Sequence, residues 1–425
     1  MKIKSFITGS KSLVVLLILV LATTRKTQAQ TYTLRQVLDS IETRNPGLQQ
    51  FALKTAASFA QADAAKAWMA PSVGVGLSEF PYGGGKDMGG GGMARKMVML
   101  RLEQMFPNFG QQNKQRDYYQ SLRLQDQDDS ATMKNMLFAE AKMAYYDALV
   151  AEKKLAVVDQ QQKQVQLLIQ ISEGRLPYGK ASLPEIYKAR AKLSDLQSMR
   201  VQLEAASEQA VAILNSLMNR SQQAPLQIDT AEDFAHSEIA ILQVDSSYIL
   251  ENRSDIHRAS DEIHSLRLNK KVVSSESRPT FGINLDNMRM NSGGYMYSAM
   301  AMVSVPIAPW FSKGYKSKAK AIDYQIQATR KMQAGQVQEA IGVIQKDWLK
   351  LQAAQKDVQI FQQEVIPAYS KAYQSYLNAF SENTGDIYET LMAWDELTMK
   401  KMQYWDKISD LLNIRVMLET EMQKD

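Results

Sequence analysis

Hydrophobic residues recur along most of this chain at three- and four-residue spacing. Met136, Ala139, Met143, Tyr146, Leu149 and Leu155 form one such series, which draws a narrow apolar seam along one side of a helix. Glycine and proline punctuate helices, and neither occurs between Gly110 and Gly174. As a single helix those roughly 60 residues would reach about 95 Å, a length that no compact core requires. Residues 185–224 and 386–425 are also free of both. After Gly342, the stretch to Glu382 contains only Pro367, where a kink is expected.

Four short segments follow another period. Residues 73–80, 97–106, 281–290 and 297–307 are strand-length and read at period two. Val98, Leu100 and Leu102 alternate with Met99, Arg101 and Glu103, while Phe281, Ile283 and Leu285 alternate with Gly282, Asn284 and Asp286. One apolar and one polar face suit a membrane-barrel strand beside a wet lumen. The strands come in pairs, joined by the glycine-rich Gly83–Gly92 and by Asn291–Gly294. Four strands cannot close a barrel, and an open edge is not tolerated in lipid. In a membrane, several chains would have to pool them.

The two strand pairs belong to an internal repeat. Asn45-Pro46-Gly47-Leu48 precedes Pro71-Ser72-Val73-Gly74-Val75-Gly76-Leu77, and Arg253-Ser254-Asp255-Ile256 precedes Pro279-Thr280-Phe281-Gly282-Ile283-Asn284-Leu285, at an offset of 208. Pro107, Phe109 and Gly110 follow the first pair; Pro306, Trp310, Phe311 and Gly314 follow the second. Each long helix then ends in a polar turn, followed by Glu185-Ile186-Tyr187-Lys188-Ala189 in one half and Asp386-Ile387-Tyr388-Glu389-Thr390 in the other. The expected organisation is a first repeat over 30–220 (helices 32–69, 110–173 and 184–220), a connector over 221–244, and a second repeat over 245–425 (helices 245–276, 314–381 and 386–424). The fold class is mainly α with a small β part.

Composition narrows the function classes. Lys2, Lys4 and Lys11 precede the apolar run Leu13–Ala22, and Thr27-Gln28-Ala29 supplies small residues at a cleavage site. Residues 1–29 read as a secretory signal peptide; a membrane anchor would need a run of about 20 residues. The formal charge of +5 comes from the five bases of this segment, so the remainder balances 45 bases against 45 acids. A nucleic-acid protein should show a basic excess, and that class is set aside. The chain has no cysteine, which removes disulfides and thiolate chemistry. No Ser/His/Asp or paired-carboxylate arrangement supports catalysis, so the chain reads as no enzyme and without a cofactor.

The doubled Asn-Pro or Arg-Ser lead-in, the Pro-initiated strands and the segment Glu185-Ile186-Tyr187-Lys188-Ala189-Arg190-Ala191 resemble the TolC family of outer-membrane efflux channels, over essentially the whole chain after residue 29. The resemblance implies a two-repeat protomer, three of which build a twelve-stranded outer-membrane β-barrel and a hollow periplasmic α-barrel. It implies a passive exit duct of a tripartite pump, a homotrimer in outer-membrane lipid, working with a periplasmic adaptor and an inner-membrane transporter of RND type. It also implies a gate at the helix tips. There Glu389 matches the first gate acid, Met392 stands where the family has a second, and Asp386 is a possible substitute; Glu185 is the tip acid of the first hairpin. Their structural alternative is a solvated helix-start acid favoured by the helix dipole.

Two residue types could mark other chemistry. His236, His257 and His264 lack an acidic partner set and read as surface residues. Methionines crowd the strands: Met88, Met93, Met97, Met99 and Met105, then Met288, Met290, Met296, Met300 and Met302. They are expected to fill lipid-facing or packed positions. Because thioethers bind Cu(I), the same channel in a Cu/Ag-type cation exporter stays open as an alternative, as does type I secretion. A periplasmic coiled-coil adaptor or scaffold is the rival of another class.

Overall fold

The computed structural model describes residues 30–78, 97–230, 245–290 and 293–423. The signal segment, the Gly83–Gly92 loop, His236, Met88 and Met93 lie outside the described residues, as does most of the connector.

In chain order the elements are β1 (Gln30–Tyr32), α1 (Leu34–Arg44), α2 (Pro46–Ala64), β2 (Ser72–Ser78), β3 (Met97–Phe106), α3 (Gln111–Arg175), a 3-10 turn (Leu176–Tyr178), α4 (Leu183–Leu217) and β4 (Leu226–Ile228). They continue with α5 (Ser246–Asn252), α6 (Ser254–Ser275), β5 (Thr280–Met290), β6 (Tyr295–Ser304), α7 (Pro309–Ile360), a π turn (Phe361–Val365), α8 (Ile366–Ser381) and α9 (Ile387–Met422). The chain packs as two compact units, each drawing on both halves of the sequence. The first takes its residues from 1–46, 136–240 and 346–420, the second from 47–135, 241–345 and 421–425.

Several elements differ from the sequence expectation, for local reasons. The helix expected over 32–69 is two helices, because a residue before proline is driven out of the α region. Asn45 is extended, with φ −69° and ψ 122°, and Pro46 opens α2, where its missing N–H costs nothing. The helix expected over 245–276 breaks in the same way at Arg253, with φ −88° and ψ 120°. In both breaks the side chain closes another helix end. Asn45 Nδ2 donates to the Leu217 carbonyl at the end of α4 (2.8 Å). Arg253 Nη1 donates to the Glu421 carbonyl near the end of α9 (2.8 Å) and to the Glu421 carboxylate (2.6 Å). Both bonds satisfy carbonyls that a helix C-terminus leaves open. The segment 221–244 holds a strand: β4 pairs in parallel with β1, Thr31 opposite Gln227. Near Pro367 the helix passes through the π turn, a common way to absorb a break in the ladder.

In the first unit, β1 and β4 lie against α3. The buried Tyr145 hydroxyl reaches the carbonyls of Tyr32 (3.2 Å) and Asp229 (3.1 Å). The main core joins Val158, Val165 and Ile169 of α3 to Ala189 and Leu196 of α4, Tyr373 of α8, and Leu391, Trp394 and Leu397 of α9. Trp394 is 1% exposed, and its removal would cost about 3–5 kcal/mol.

In the second unit, β2-β3-β5-β6 form one antiparallel sheet. The central ladder pairs β3 of the first half with β5 of the second. The strands alternate as expected except at Gln104, Asn287 and Arg289, which share the apolar face. One face carries Val73, Val75, Leu77, Val98, Leu100, Leu102, Ile283 and Leu285, all exposed, Val75 at 76%. Aromatic residues flank this apolar band at both strand ends: Tyr295 and Tyr297 at one, Trp310 and Phe311 at the other. The opposite face carries Arg101, bound through Nε and Nη2 to both carboxylate oxygens of Asp286 (2.8 and 3.2 Å). Beside the sheet, Ile263 of α6 packs on Ile322 and Ile326 of α7. No helix among the described residues is long and apolar enough to cross a membrane.

One carboxylate of this unit is poorly matched to its surroundings. Burial first, and then repulsion from Asp261, push Asp128 up to about 6, against a relief from His257. Its neighbour Asp129 adds repulsion, while Arg258 is engaged by Asp129 (2.5 Å) and Glu262 (3.5 Å). A carboxyl with a raised folded-state pKa binds more protons folded than unfolded between about pH 4 and 6, so its presence lowers stability as pH rises through that window. Asp128→Asn should therefore raise the melting temperature on the order of 2 °C or more at pH 7.5 and leave it unchanged near pH 4. Calorimetry at the two pH values checks this.

Candidate functional site

The residues expected at the helix tips all fall in the first unit. The first tip joins α3 to α4. Its 3-10 turn ends at Gly179, whose φ of +65° is open to glycine at no steric cost. Ser182 and Glu185 then start α4 as a capping box: the Ser182 N–H donates to Glu185 Oε2 (3.0 Å). Glu185 is thus engaged by its own helix start.

The second tip joins α8 to α9. Asn383 takes φ +58°, and the N–H groups of Thr384 and Gly385 both donate to the Ala379 carbonyl (2.9 and 3.0 Å). A Cβ at Gly385 would meet Ala379 Cβ at 2.9 Å and the Phe380 nitrogen at 3.0 Å, so only glycine closes this turn without a shift. Asp386 accepts from the Tyr388 N–H (3.0 Å) and caps α9.

The two tips are fastened to each other. Arg175 at the end of α3 donates to the carbonyls of Phe380 (2.8 Å) and Ser381 (3.2 Å), and its guanidinium lies 4.3 Å from the centre of the Phe380 ring. Lys188 of α4 sits 4.2 Å over the Tyr388 ring, a cation–π contact. One turn further, Lys192 pairs with Asp395 (3.0 Å). Beneath them Leu168, Phe380 and Ile387 form a small buried cluster.

Beyond these links, α9 leaves a stripe exposed. Ile387, Thr390, Leu391, Ala393 and Trp394 are buried, whereas Asp386, Glu389, Met392, Glu396 and Met399 are exposed, Met392 at 47%. Their spacing of three and four residues puts them on one side of the helix. Glu396, one turn beyond Met392, restores an acid to that stripe. The sequence reading passed over it because it compared one motif position at a time; the helical period that found the seams would have found it.

The sheet corrects the expectation for the methionines. Met97, Met99, Met105, Met288, Met290, Met296, Met300 and Met302 lie in phase with Arg101 and Asp286, on the polar face and not on the apolar one. They form cross-strand rows. Met99, Met288 and Met296 are register partners across three strands. Met105 and Met302 flank Gly282, where an added Cβ would meet Met105 Sδ at 2.5 Å and Met302 Cε at 3.5 Å. His257 and His264 belong to no metal-holding group among the described residues; His257 Nε2 lies 3.0 Å from the Leu250 carbonyl.

The described residues thus combine a four-stranded sheet that has an exposed apolar band and a charged opposite face with long helices whose tips are fastened to each other. Residues 37–220 match the family model of the outer membrane efflux proteins. No curated protein sequence matches the chain. The solved outer-membrane channel OprN is 16% identical, with a TM-score of 0.73 over 92% of this chain and 90% of that one. CusC is 14% identical, with a TM-score of 0.74 over 93% and 95%. The open state of the Neisseria gonorrhoeae MtrE outer membrane channel is 14% identical, with a TM-score of 0.70 over 92% and 88%. Residues 37–220 thus carry the sequence of the outer membrane efflux protein family, and the chain as a whole carries the TolC-like fold of these channels.

The fastening of the tips can be tested on its own. Arg175→Ala removes two charge-assisted hydrogen bonds, about 1–3 kcal/mol, from a partly exposed place. Amide exchange over residues 380–387 should accelerate roughly tenfold while the buried part of α9 around Trp394 keeps its protection. Equal protection in the variant would show that the tips hold without Arg175.

Proposed function

We propose that this protein is the outer-membrane exit channel of a tripartite efflux pump, a passive duct from periplasm to exterior. The observation that carries the reading is the sheet: an exposed apolar band flanked by aromatic residues, a charged opposite face, and the outer strands β2 and β6 unpaired along their far edges. In lipid such edges must pair, and three copies would supply twelve strands, enough to close a barrel around an aqueous lumen. The two sequence halves, 30–220 and 245–425, would then act as six near-equivalent units around one axis. A periplasmic adaptor would dock on the helices and link the duct to an inner-membrane transporter of RND type.

The gate in this reading is the tip region. Glu389 and Glu396 on the exposed stripe of α9, with Asp386 at its start, would recur threefold around the axis as a ring of carboxylates that attracts cations. Glu185, occupied by its capping box, would fix the first hairpin tip. The links from Arg175, Lys188 and Lys192 would hold each protomer's hairpins in the closed arrangement.

One observation favours a second reading of the cargo. The methionine rows stand on the polar face, beside the Arg101–Asp286 pair, which becomes the lumen wall if the barrel closes. Thioethers select soft cations such as Cu(I), so the exported species would be a soft metal ion.

Three measurements test these statements. Membrane fractionation should recover the protein in the outer membrane as a detergent-stable trimer, and recovery as a soluble monomer would overturn the channel. In planar bilayers, Glu389→Gln with Glu396→Gln should lower the preference for cations over anions severalfold; unchanged selectivity removes these acids from the gate. Cells carrying Met105→Leu with Met302→Leu should lose silver tolerance and keep dye tolerance. Unchanged silver tolerance discards the soft-metal cargo.

A further inference from the structure

The second unit contains a cavity of about 650 Å³ whose lining is strongly cationic. Lys114 of α3, Arg267, Lys270 and Lys271 of α6, and Arg330 of α7 surround it, with Asp323 of α7 as the acid among them. Asp323 is already engaged: Lys270 Nζ lies 2.7 Å from each of its carboxylate oxygens. Lys114, Arg267, Lys271 and Arg330 have no ion-pair partner among the described residues. Four uncompensated cations around one hollow repel each other, and the crowding is felt. Burial, Arg278 and Lys271 together hold Lys114 below the usual lysine range. A fold keeps such an arrangement at a cost unless an anion occupies it.

Its place in the chain narrows the anion. Lys114 stands in the first turn of α3, eight residues after β3 ends at Phe106, and Lys271 stands nine residues before β5 begins at Thr280. Lys114 and Lys271 therefore stand nearest the foot of the sheet, with Arg267 and Arg330 further along their helices. If the sheet spans the outer membrane, this is the level of the periplasmic-leaflet headgroups. Guanidinium forks match phosphate oxygens two at a time, and lysines add mobile charge. Basic pockets at the edge of a membrane-spanning region bind anionic phospholipid headgroups for the same reasons.

We propose that this cavity is a binding site for a phosphate-bearing anion, with the headgroup of an anionic phospholipid as its occupant in the membrane. Lys114, Arg267, Lys271 and Arg330 ligate the phosphate, while the Lys270–Asp323 pair keeps the wall of the cavity fixed. The lipid as source rests on the channel reading; the affinity for phosphate does not.

The test uses the full-length protein and two probes. In the first arm it is placed in phosphatidylcholine nanodiscs with or without phosphatidylglycerol, and the lipids retained on release are counted by native mass spectrometry. In the second arm inorganic phosphate is titrated into the detergent-solubilised protein and followed by phosphorus NMR line broadening. Arg267→Gln with Lys271→Gln should lower phosphatidylglycerol retention about tenfold or more and abolish the phosphate broadening. Lys313→Gln with Lys316→Gln, the same charge change outside the cavity, should alter neither. Phosphate broadening without phosphatidylglycerol retention leaves the phosphate site standing and overturns the lipid as its occupant. Equal retention and equal broadening in both variants overturn the site. So does a cavity variant that loses its oligomer while binding phosphate unchanged, because the cavity is then a contact between subunits. Failure to enter nanodiscs counts against the membrane reading, and the phosphate arm still decides the cavity.

Discussion

The constraint on which everything else depends is the unpaired edge of a four-stranded sheet. Among the described residues, β2 and β6 each satisfy one side of their backbone through β3 and β5 and have no strand on the other side. The same sheet exposes a continuous apolar band. In water this combination invites aggregation; in lipid an open edge costs several kcal/mol for each unsatisfied group. Neither solvent suits the sheet alone, and the proposed closure with other copies would satisfy both demands together. The polar face follows from that. In the closed sheet proposed above, the interior would hold Arg101, Asp286, Glu103 and Asn284, and the bidentate Arg101–Asp286 pair would keep two charges from being left without partners there.

The duplication solves a related problem within one chain. Each half contributes one strand pair, and two-stranded hairpins are marginal by themselves. The ladder between β3 and β5 joins the halves into a sheet of four. The same economy recurs at the helix ends. Position 45 and its counterpart 253 each leave the helical region, and each side chain closes the carbonyl end of its own half's last helix. An amide does this in one half and a guanidinium with its carboxylates in the other. The repeat thus conserves a physical task while its residues change, which is why self-similarity in the sequence is visible in punctuation and spacing more than in identity.

What could be read from the sequence follows the same division. Strand faces were legible because a period of two forces them, and long helices were legible because sixty residues pass without glycine or proline. Contacts between distant residues were not. Nothing local tells that Arg101 faces Asp286, that Arg175 reaches the carbonyls of Phe380 and Ser381, or that five cations from three helices share one cavity. β4 was missed because three residues carry no period. The break at Arg253 was missed because no proline marks it. The methionines are a different case: Met97, Met99 and Met105 are odd-numbered like Arg101, and Met288 and Met290 even-numbered like Asp286. Their face was available from counting; it overturns the lipid-facing half of the expectation, while the packed half holds for Met97, which is 5% exposed, and for Met105 and Met302 over Gly282.

A thioether row on the polar face still finds contacts there. Gly282 shows what is gained. With no side chain of its own it leaves a gap on the polar face, and Met105 and Met302 from the two neighbouring strands fold over it. Gly76 and Gly294 are approached in the same way by Met99 and Met290, whose methyl carbons lie 3.3 and 2.5 Å from where a Cβ would stand. Methionine is long, unbranched and polarisable, so it can cover a bare stretch of backbone without demanding a hydrogen bond. Glycine and methionine therefore act as a pair here: the glycines leave backbone bare and the methionines cover it. On this face the methionines thus stand around one fixed ion pair, Arg101–Asp286.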